Sequence, residues 1–204
     1  EIPLRLVGSE MCIRDSIDSV AKEICKSLNP KNQIVASVVA GVPFEHLETI
    51  FQVQEKTPVL FRLIPNTAIS VLQSMTVISA YKASEAQIET ITGIFNELGK
   101  TIVIEERLMT AATALCSCGT AYALRYIRAA MEGGVEMGLY PEQAKFIASQ
   151  TVKGAAELLL AHNAHPEAEI DKVTTPGGIT IKGLNEMESA GFSSAVIRGL
   201  KASK

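Results

Sequence analysis

Apolar residues recur at three- and four-residue steps through residues 17–28 (Ile17, Val20, Ala21, Ile24, Leu28), the stripe that an amphipathic helix buries. Asn29-Pro30 stops it. Residues 33–40 then form a short run rich in Val and Ile, which predicts a strand buried on both faces. Gly41 allows a tight turn, and Pro43 suits the first position of a helix reaching about Phe51. A second strand is expected at 59–64, closed by Pro65-Asn66-Thr67, and two more at 75–81 and 101–104. The helix between the last two is well marked. Ser84 and Gln87 make a capping box, Ile88, Ile91, Phe95 and Leu98 make its buried stripe, and Gly99 is the left-handed residue expected to end it.

The pattern changes near Glu106. Two long Ala-rich helices are expected at 107–137 and 141–161, separated by Gly138-Leu139-Tyr140-Pro141. Shorter ones follow at 166–173, 180–190 and 193–202. The fold class is therefore α/β plus all-α: an incomplete Rossmann-like parallel sheet over 17–105, then a helical domain over 106–204. The sheet reads as incomplete because Gly-x-Gly-x-x-Gly, which follows the opening strand of a dinucleotide-binding fold, occurs nowhere in the chain. So apolar a helical domain has surplus surface to bury, and pairing with a second copy is the economical way to do it.

Residues 1–16 show neither helical nor alternating periodicity. Their last ten, Val7 to Ser16, resemble the in-frame translation of a transposon-end sequencing adapter. They are set aside as a non-native leader, with the genuine polypeptide expected to enter mid-gene at about Ile17.

Composition narrows the chemistry. Nineteen Lys+Arg against 22 Asp+Glu give a formal charge of -3 with no basic block, which argues against nucleic-acid and membrane-surface binding. No apolar run approaches the roughly 18 residues of a spanning helix, and no export signal is present. The 4 cysteines are then expected as free thiols in a cytoplasmic protein. Cys116 and Cys118 are one residue apart, and the 3 histidines complete no four-ligand set, so no metal site is expected.

The segment Thr174-Thr175-Pro176-Gly177-Gly178-Ile179-Thr180-Ile181-Lys182-Gly183-Leu184 is the most informative. Pro and paired Gly bare the backbone, and Thr180 stands where a helix N-cap is expected. Amides at a helix start bind anions, so the loop suits a carboxylate; a capped turn between two helices is the plainer alternative.

This segment, with Glu186-Met187-Glu188-Ser189-Ala190-Gly191-Phe192 after it, closely resembles the C-terminal signature of the pyrroline-5-carboxylate reductase family. Four other blocks agree in order. They are Ala40-Gly41-Val42; Arg62 with Pro65-Asn66-Thr67 and Met75-Thr76; Thr113-Ala114-Leu115 with Gly119 and Ala121-Tyr122; and Gln150-Thr151-Val152 with Gly154-Ala155-Ala156. The likeness runs from about Ile17 to Lys204. Departures exist: Cys116-Ser117-Cys118-Gly119-Thr120 replaces the family's Ser-Gly-Ser-Gly-Pro, and Ala68, Leu72 and Ser74 stand where Pro, Gly and Gly are usual. The family's opening strand and glycine-rich loop have no counterpart.

The resemblance implies a reductase transferring hydride from NADPH or NADH to 1-pyrroline-5-carboxylate to give L-proline, and working as at least a dimer through its C-terminal helices. Carried over residue by residue, Gly178, Ile179 and Thr180 hold the substrate carboxylate through backbone amides. The Thr180 hydroxyl, the one catalytic assignment, bonds the ring nitrogen, and Asn163 adds a polar contact. Val38, Val39, Ala40, Asn66 and Thr67 line the nicotinamide side. His165 is expected to make a structural hydrogen bond, and Lys172 and Lys182 to lie at the surface. Two other functions compete. One is a non-catalytic helical dimerisation fragment; under the reductase reading too, the chain without its phosphate-binding loop is expected to be inactive. The other is a β-hydroxyacid dehydrogenase, whose acidic lysine has no match in residues 111–123.

Overall fold

A computed structural model describes residues 10–203, with side chains from Ser16 onward. It divides into two compact units, the first reaching Thr120 and the second running over Ala121–Ser203. Of the leader assigned to residues 1–16, residues 1–9 lie outside the described residues, while Glu10 to Ser16 are helical, so α1 begins ahead of the expected Ile17.

The first unit is a four-stranded sheet with helices on both faces. Its elements are α1 (Glu10–Ile24), β1 (Ile34–Ser37), α2 (Phe44–Ile50), β2 (Val59–Ile64), β3 (Ser74–Tyr81), α3 (Glu85–Asn96) and β4 (Gly99–Val103), with strands in the order β1-β2-β3-β4. The α/β expectation holds, but the sheet is mixed where a parallel one was expected. β1 pairs parallel with β2 and β3 with β4, whereas β2 and β3 run antiparallel, Phe61 opposite Ala80. The cause is the connection at 65–73. It contains only a 3₁₀ turn (Thr67–Val71), and a parallel crossover needs a dozen residues or more.

Side chains of β2 alternate between the two faces. Leu60 packs with Ile17 and Ala21 of α1 and with Phe44, Leu47 and Phe51, while Phe61 and Leu63 pack with Ile78 and Ile91 on the α3 side. α1 stops at Ile24, short of the expected Leu28, because Lys26 and Ser27 turn back onto the Glu23 and Ile24 carbonyls. β1 is shorter than residues 33–40 and only partly buried, since it lies at the sheet edge and the Ser37 hydroxyl accepts from the Val39 amide to turn the chain.

The Ser84–Gln87 capping box forms as expected. Gly99 does not cap α3; it opens β4 at φ 150°, where a Cβ would lie 2.1 Å from the Ser74 carbonyl oxygen. Close strand approach, not helix termination, requires glycine there.

After a 3₁₀ turn (Glu106–Leu108), α4 (Met109–Thr113) runs through a π-helical turn (Ala114–Cys118) into α5 (Gly119–Glu136). The expected single helix over 107–137 is thus three segments. The second unit continues with α6 (Pro141–His162), α7 (Pro166–Val173), α8 (Ile179–Ser189) and α9 (Phe192–Ala202). Gly134 on α5 lets the chain approach α6, where a Cβ would meet the Ala144 Cβ at 3.2 Å. Tyr122 donates to the Gly199 carbonyl at 3.3 Å, tying α9 to α5. Cys25, Cys116 and Cys118 are free thiols.

Candidate active site

In the first unit, Val38, Val39 and Ala40 follow the carboxyl end of β1, and Asn66 and Thr67 follow the carboxyl end of β2. The two strands are parallel neighbours with Ser37 opposite Arg62, so all five residues gather at one edge of the sheet. The crevice outside parallel strand ends is where α/β sheets bind ligands. Val38 and Ala40 are exposed, whereas Val39 packs against the core of the α1 side. Gly41, at φ 77°, turns the chain back into α2.

Asn66 is heavily used. Its Oδ1 accepts from the Ala68 amide at 3.1 Å, its Nδ2 donates to the Cys116 carbonyl at 3.1 Å, and its own amide donates to Ser74 Oγ at 3.2 Å. Ser74 in turn shares a hydrogen bond with Thr76 Oγ1 at 3.2 Å, both side chains buried. The strand-end wall is therefore fixed from β3 and from the π-helical turn. Sequence reading missed Ser74 because it differs from the family's usual glycine, and missed the π turn because one inserted residue leaves no periodic signal.

The π turn also holds Cys116, whose thiol lies 3.7 Å from the Ile64 carbonyl. Burial pushes this thiol above its ordinary pKa, so it stays protonated and unreactive at neutral pH.

In the second unit, Thr174 to Gly178 turn into α8. Gly178, not Thr180, is the N-cap, so Thr180 sits at the second helical position. The Gly178 amide donates to the Thr175 carbonyl at 2.9 Å and is engaged inside the turn. A side chain at Gly178 would meet Thr175 Oγ1 at 2.5 Å, which is why glycine stands there. The next two amides, of Ile179 and Thr180, have no acceptor among the described residues, as helix geometry dictates for a first turn without a side-chain cap. Ile179 is 87 % exposed, so this helix start is open. This helix start thus offers two free amides and the Thr180 hydroxyl, where three amides and that hydroxyl were expected.

Asn163 ends α6 in the left-handed conformation, φ 48° and ψ 37°. Among the described residues no hydrogen bond joins it to Gly178, Ile179 or Thr180. His165 caps α7, its Nδ1 accepting from the Glu167 amide at 3.3 Å, the structural bond expected of it. Lys172 pairs with Glu169 on its own helix.

Comparison with known proteins agrees with both units. Residues 106–204 match the family described as pyrroline-5-carboxylate reductase dimerisation. Pyrroline-5-carboxylate reductase 1 of Dictyostelium discoideum is 46 % identical over 201 residues, covering 93 % of this chain and 35 % of that protein. Pyrroline-5-carboxylate reductase 2 of the same organism is 44 % identical over 191 residues, covering 87 % of this chain and 64 % of its own length. The chain therefore spans between about a third and two thirds of these relatives. The pyrroline-5-carboxylate reductase of Coxiella burnetii superimposes with a TM-score of 0.85 at 27 % identity, over 93 % of this chain and 70 % of that one. The Plasmodium falciparum pyrroline carboxylate reductase, solved with NADP bound, gives 0.82 at 27 % identity, over 93 % and 71 %. With the strand-end wall and the Pro-Gly-Gly turn in one sequence, the chain is similar to pyrroline-5-carboxylate reductases over both units, and residues 106–204 belong to the family of their dimerisation segment.

Proposed function

We propose that the full-length protein reduces 1-pyrroline-5-carboxylate to L-proline with NADPH or NADH, the last step of proline biosynthesis, as a cytoplasmic homo-oligomer of at least two chains. The observation that carries this reading is the open start of α8, where Ile179 and Thr180 present unpartnered amides directly after Pro176-Gly177-Gly178. Such amides, at the positive end of a helix, suit a small carboxylate.

A reduced nicotinamide, when bound, supplies the hydride that adds to the imine carbon, and a proton ends on the ring nitrogen. The chain's own residues have the remaining tasks. The Ile179 and Thr180 amides hold the carboxylate, the Thr180 hydroxyl hydrogen-bonds the ring nitrogen, and Asn163 adds a polar contact. Val38 and Ala40, small and exposed at the end of β1, suit a flat ring lying close to the backbone. Val39 serves through its main chain, because its side chain is turned to the core. Asn66 and Thr67 shape the same wall, and Gly178 keeps the turn narrow. No strong base is needed, since hydride transfer relies on placement and the exclusion of water.

Association with a second copy is supported by the surface of the helical unit as well as by the family it matches. Met137, Leu160 and Phe146 of this unit are 82 %, 77 % and 71 % exposed, apolar surface that a second copy would cover.

Titration with proline, followed by amide NMR, tests the reading. Shifts concentrated at Ile179 and Thr180 are expected, together with NADPH-dependent formation of proline from 1-pyrroline-5-carboxylate by the full-length protein. Shifts elsewhere and no proline formed would remove it.

A further inference from the structure

The most unusual charged contact in the first unit lies beneath the strand-end wall. Arg62 on β2 is 8 % exposed, and its Nη1 donates to Glu106 Oε1 at 2.7 Å. The same Glu106 oxygen accepts from the Phe44 amide at 2.6 Å. Phe44 is the first residue of α2, and the N-cap Pro43 offers no side-chain acceptor. A residue 62 positions downstream thus supplies the missing cap. The Arg62 guanidinium also lies over the Phe44 ring, 5.9 Å from its centre, and Phe44 stacks on Tyr81. One carboxylate oxygen therefore joins the middle of β2 to the point where the chain leaves the turn at 38–43.

From this geometry we infer that Arg62 and Glu106 are a positioning pair for the nicotinamide wall. Glu106 fixes the downstream end of the Val38-to-Pro43 turn through the Phe44 amide, and Arg62 fixes Glu106. Among the described residues the buried Arg62 head group is held through Nη1 alone, with Nε buried and unpartnered, so its place depends on Glu106. The upstream end of the turn is anchored by pairing of Ser37 with Arg62 itself. Arg62 therefore holds both ends, one through its backbone and one through its side chain. The inference rests on the proposed role of Val38, Val39 and Ala40 in lining the cofactor.

The experiment compares Glu106→Gln and Glu106→Ala in the full-length protein. Gln keeps the Oε1 acceptor for both Phe44 and Arg62; Ala removes it. Two readouts separate positioning from general damage: hydrogen exchange at the Gly41, Val42 and Phe44 amides, and affinities for NADPH and for proline. Glu106→Ala should speed Phe44 exchange and weaken NADPH binding by about tenfold or more, the loss of one charge-assisted bond, and leave proline binding unchanged. Glu106→Gln should restore most of both. If Glu106→Ala does not fold because Arg62 is left unpaired, the double variant Arg62→Met/Glu106→Ala removes both charges and carries the same test. Unchanged Phe44 exchange, unchanged NADPH affinity with faster exchange, or equal loss of NADPH and proline affinity would each overturn the pairing. Unsubstituted full-length protein that binds no NADPH counts against the reductase reading, while Phe44 exchange still decides whether the clamp exists.

Discussion

Asn66 donates its side-chain amide to the main-chain carbonyl of Cys116, 50 positions further along, at 3.1 Å. That bond connects the turn after β2 to the π-helical turn leading into α5. Its other side-chain atom caps the 3₁₀ turn at Ala68. Asn66→Ala removes an acceptor and a donor together and should destabilise the protein by about 1–3 kcal/mol, seen as a lower urea midpoint at constant slope. Asn66→Asp should fall between the two, because it keeps the cap but turns a carboxylate oxygen toward the Cys116 carbonyl.

Leu72 closes the same 3₁₀ turn in the left-handed conformation, φ 58° and ψ 34°, with 58 % of its surface exposed. A non-glycine residue there costs about 1–2 kcal/mol, partly offset by the roughly 0.5–1 kcal/mol of extra chain entropy that glycine must lose on folding. Leu72→Gly should therefore raise stability by about 0.5–1 kcal/mol, read as a higher melting temperature. A fall in stability would show that the exposed leucine makes contacts this conformation does not reveal.

Much of the fold was legible in the sequence because it is written in local chemistry. β2 falls at Val59–Ile64 as its apolar run indicates, Ser84 and Gln87 cap α3, and Pro141 and Pro166 open α6 and α7. What escaped depends on distant partners. The antiparallel step between β2 and β3 is a property of a connection too short to cross over, and a period-two pattern carries no strand direction. Gly99 reads as a helix stop from its neighbours alone, but the Ser74 backbone decides its role. In the site, the Pro-Gly-Gly turn and the two strand-end segments were visible as motifs. The N-cap of α8, two residues ahead of Thr180, was not, because Thr is more enriched than Gly at N-caps while the geometry of the turn selects Gly178. Glu106, one acidic residue among 22 Asp+Glu, carried no signal at all.

Thr180 tests the substrate assignment more directly than any other residue. Its side chain is exposed, at the second position of α8, so its removal should leave the fold intact. Thr180→Ala in the full-length enzyme should cost about 1–3 kcal/mol of transition-state stabilisation, a fall in kcat/KM for 1-pyrroline-5-carboxylate with NADPH affinity unchanged. Thr180→Ser, which keeps the hydroxyl, should recover most of that loss. Identical kinetics in all three proteins would mean that the ring nitrogen is met by another group.

Acid and alkaline stability depend on a cluster that joins α2 to the end of β3. Glu48 accepts from Lys82 Nζ at 2.6 Å and from the Tyr81 hydroxyl at 2.9 Å. Lys82 lies over the Tyr81 ring, 4.9 Å from its centre, with its backbone held at φ 57°. The bonds from Lys82 and Tyr81 hold the Glu48 carboxyl below its ordinary pKa, and the bond to Glu48 holds the Lys82 ammonium above its own. A carboxylate lowered on folding contributes stability above its unfolded pKa and loses it as pH falls through the folded value. A lysine raised on folding contributes below its unfolded pKa and loses it as pH rises through the folded value. The cluster should therefore help most across the neutral range and fade at both extremes. Glu48→Gln should melt below the unsubstituted protein at neutral pH, with the gap closing as the carboxylate titrates in acid and again as lysine titrates in alkali. High salt should shrink the gap at neutral pH, because the pair is open to solvent and screened. Melting curves across pH at two salt concentrations check both arms. A gap independent of pH would mean that Glu48 acts through the Tyr81 hydroxyl and packing, not through its charge.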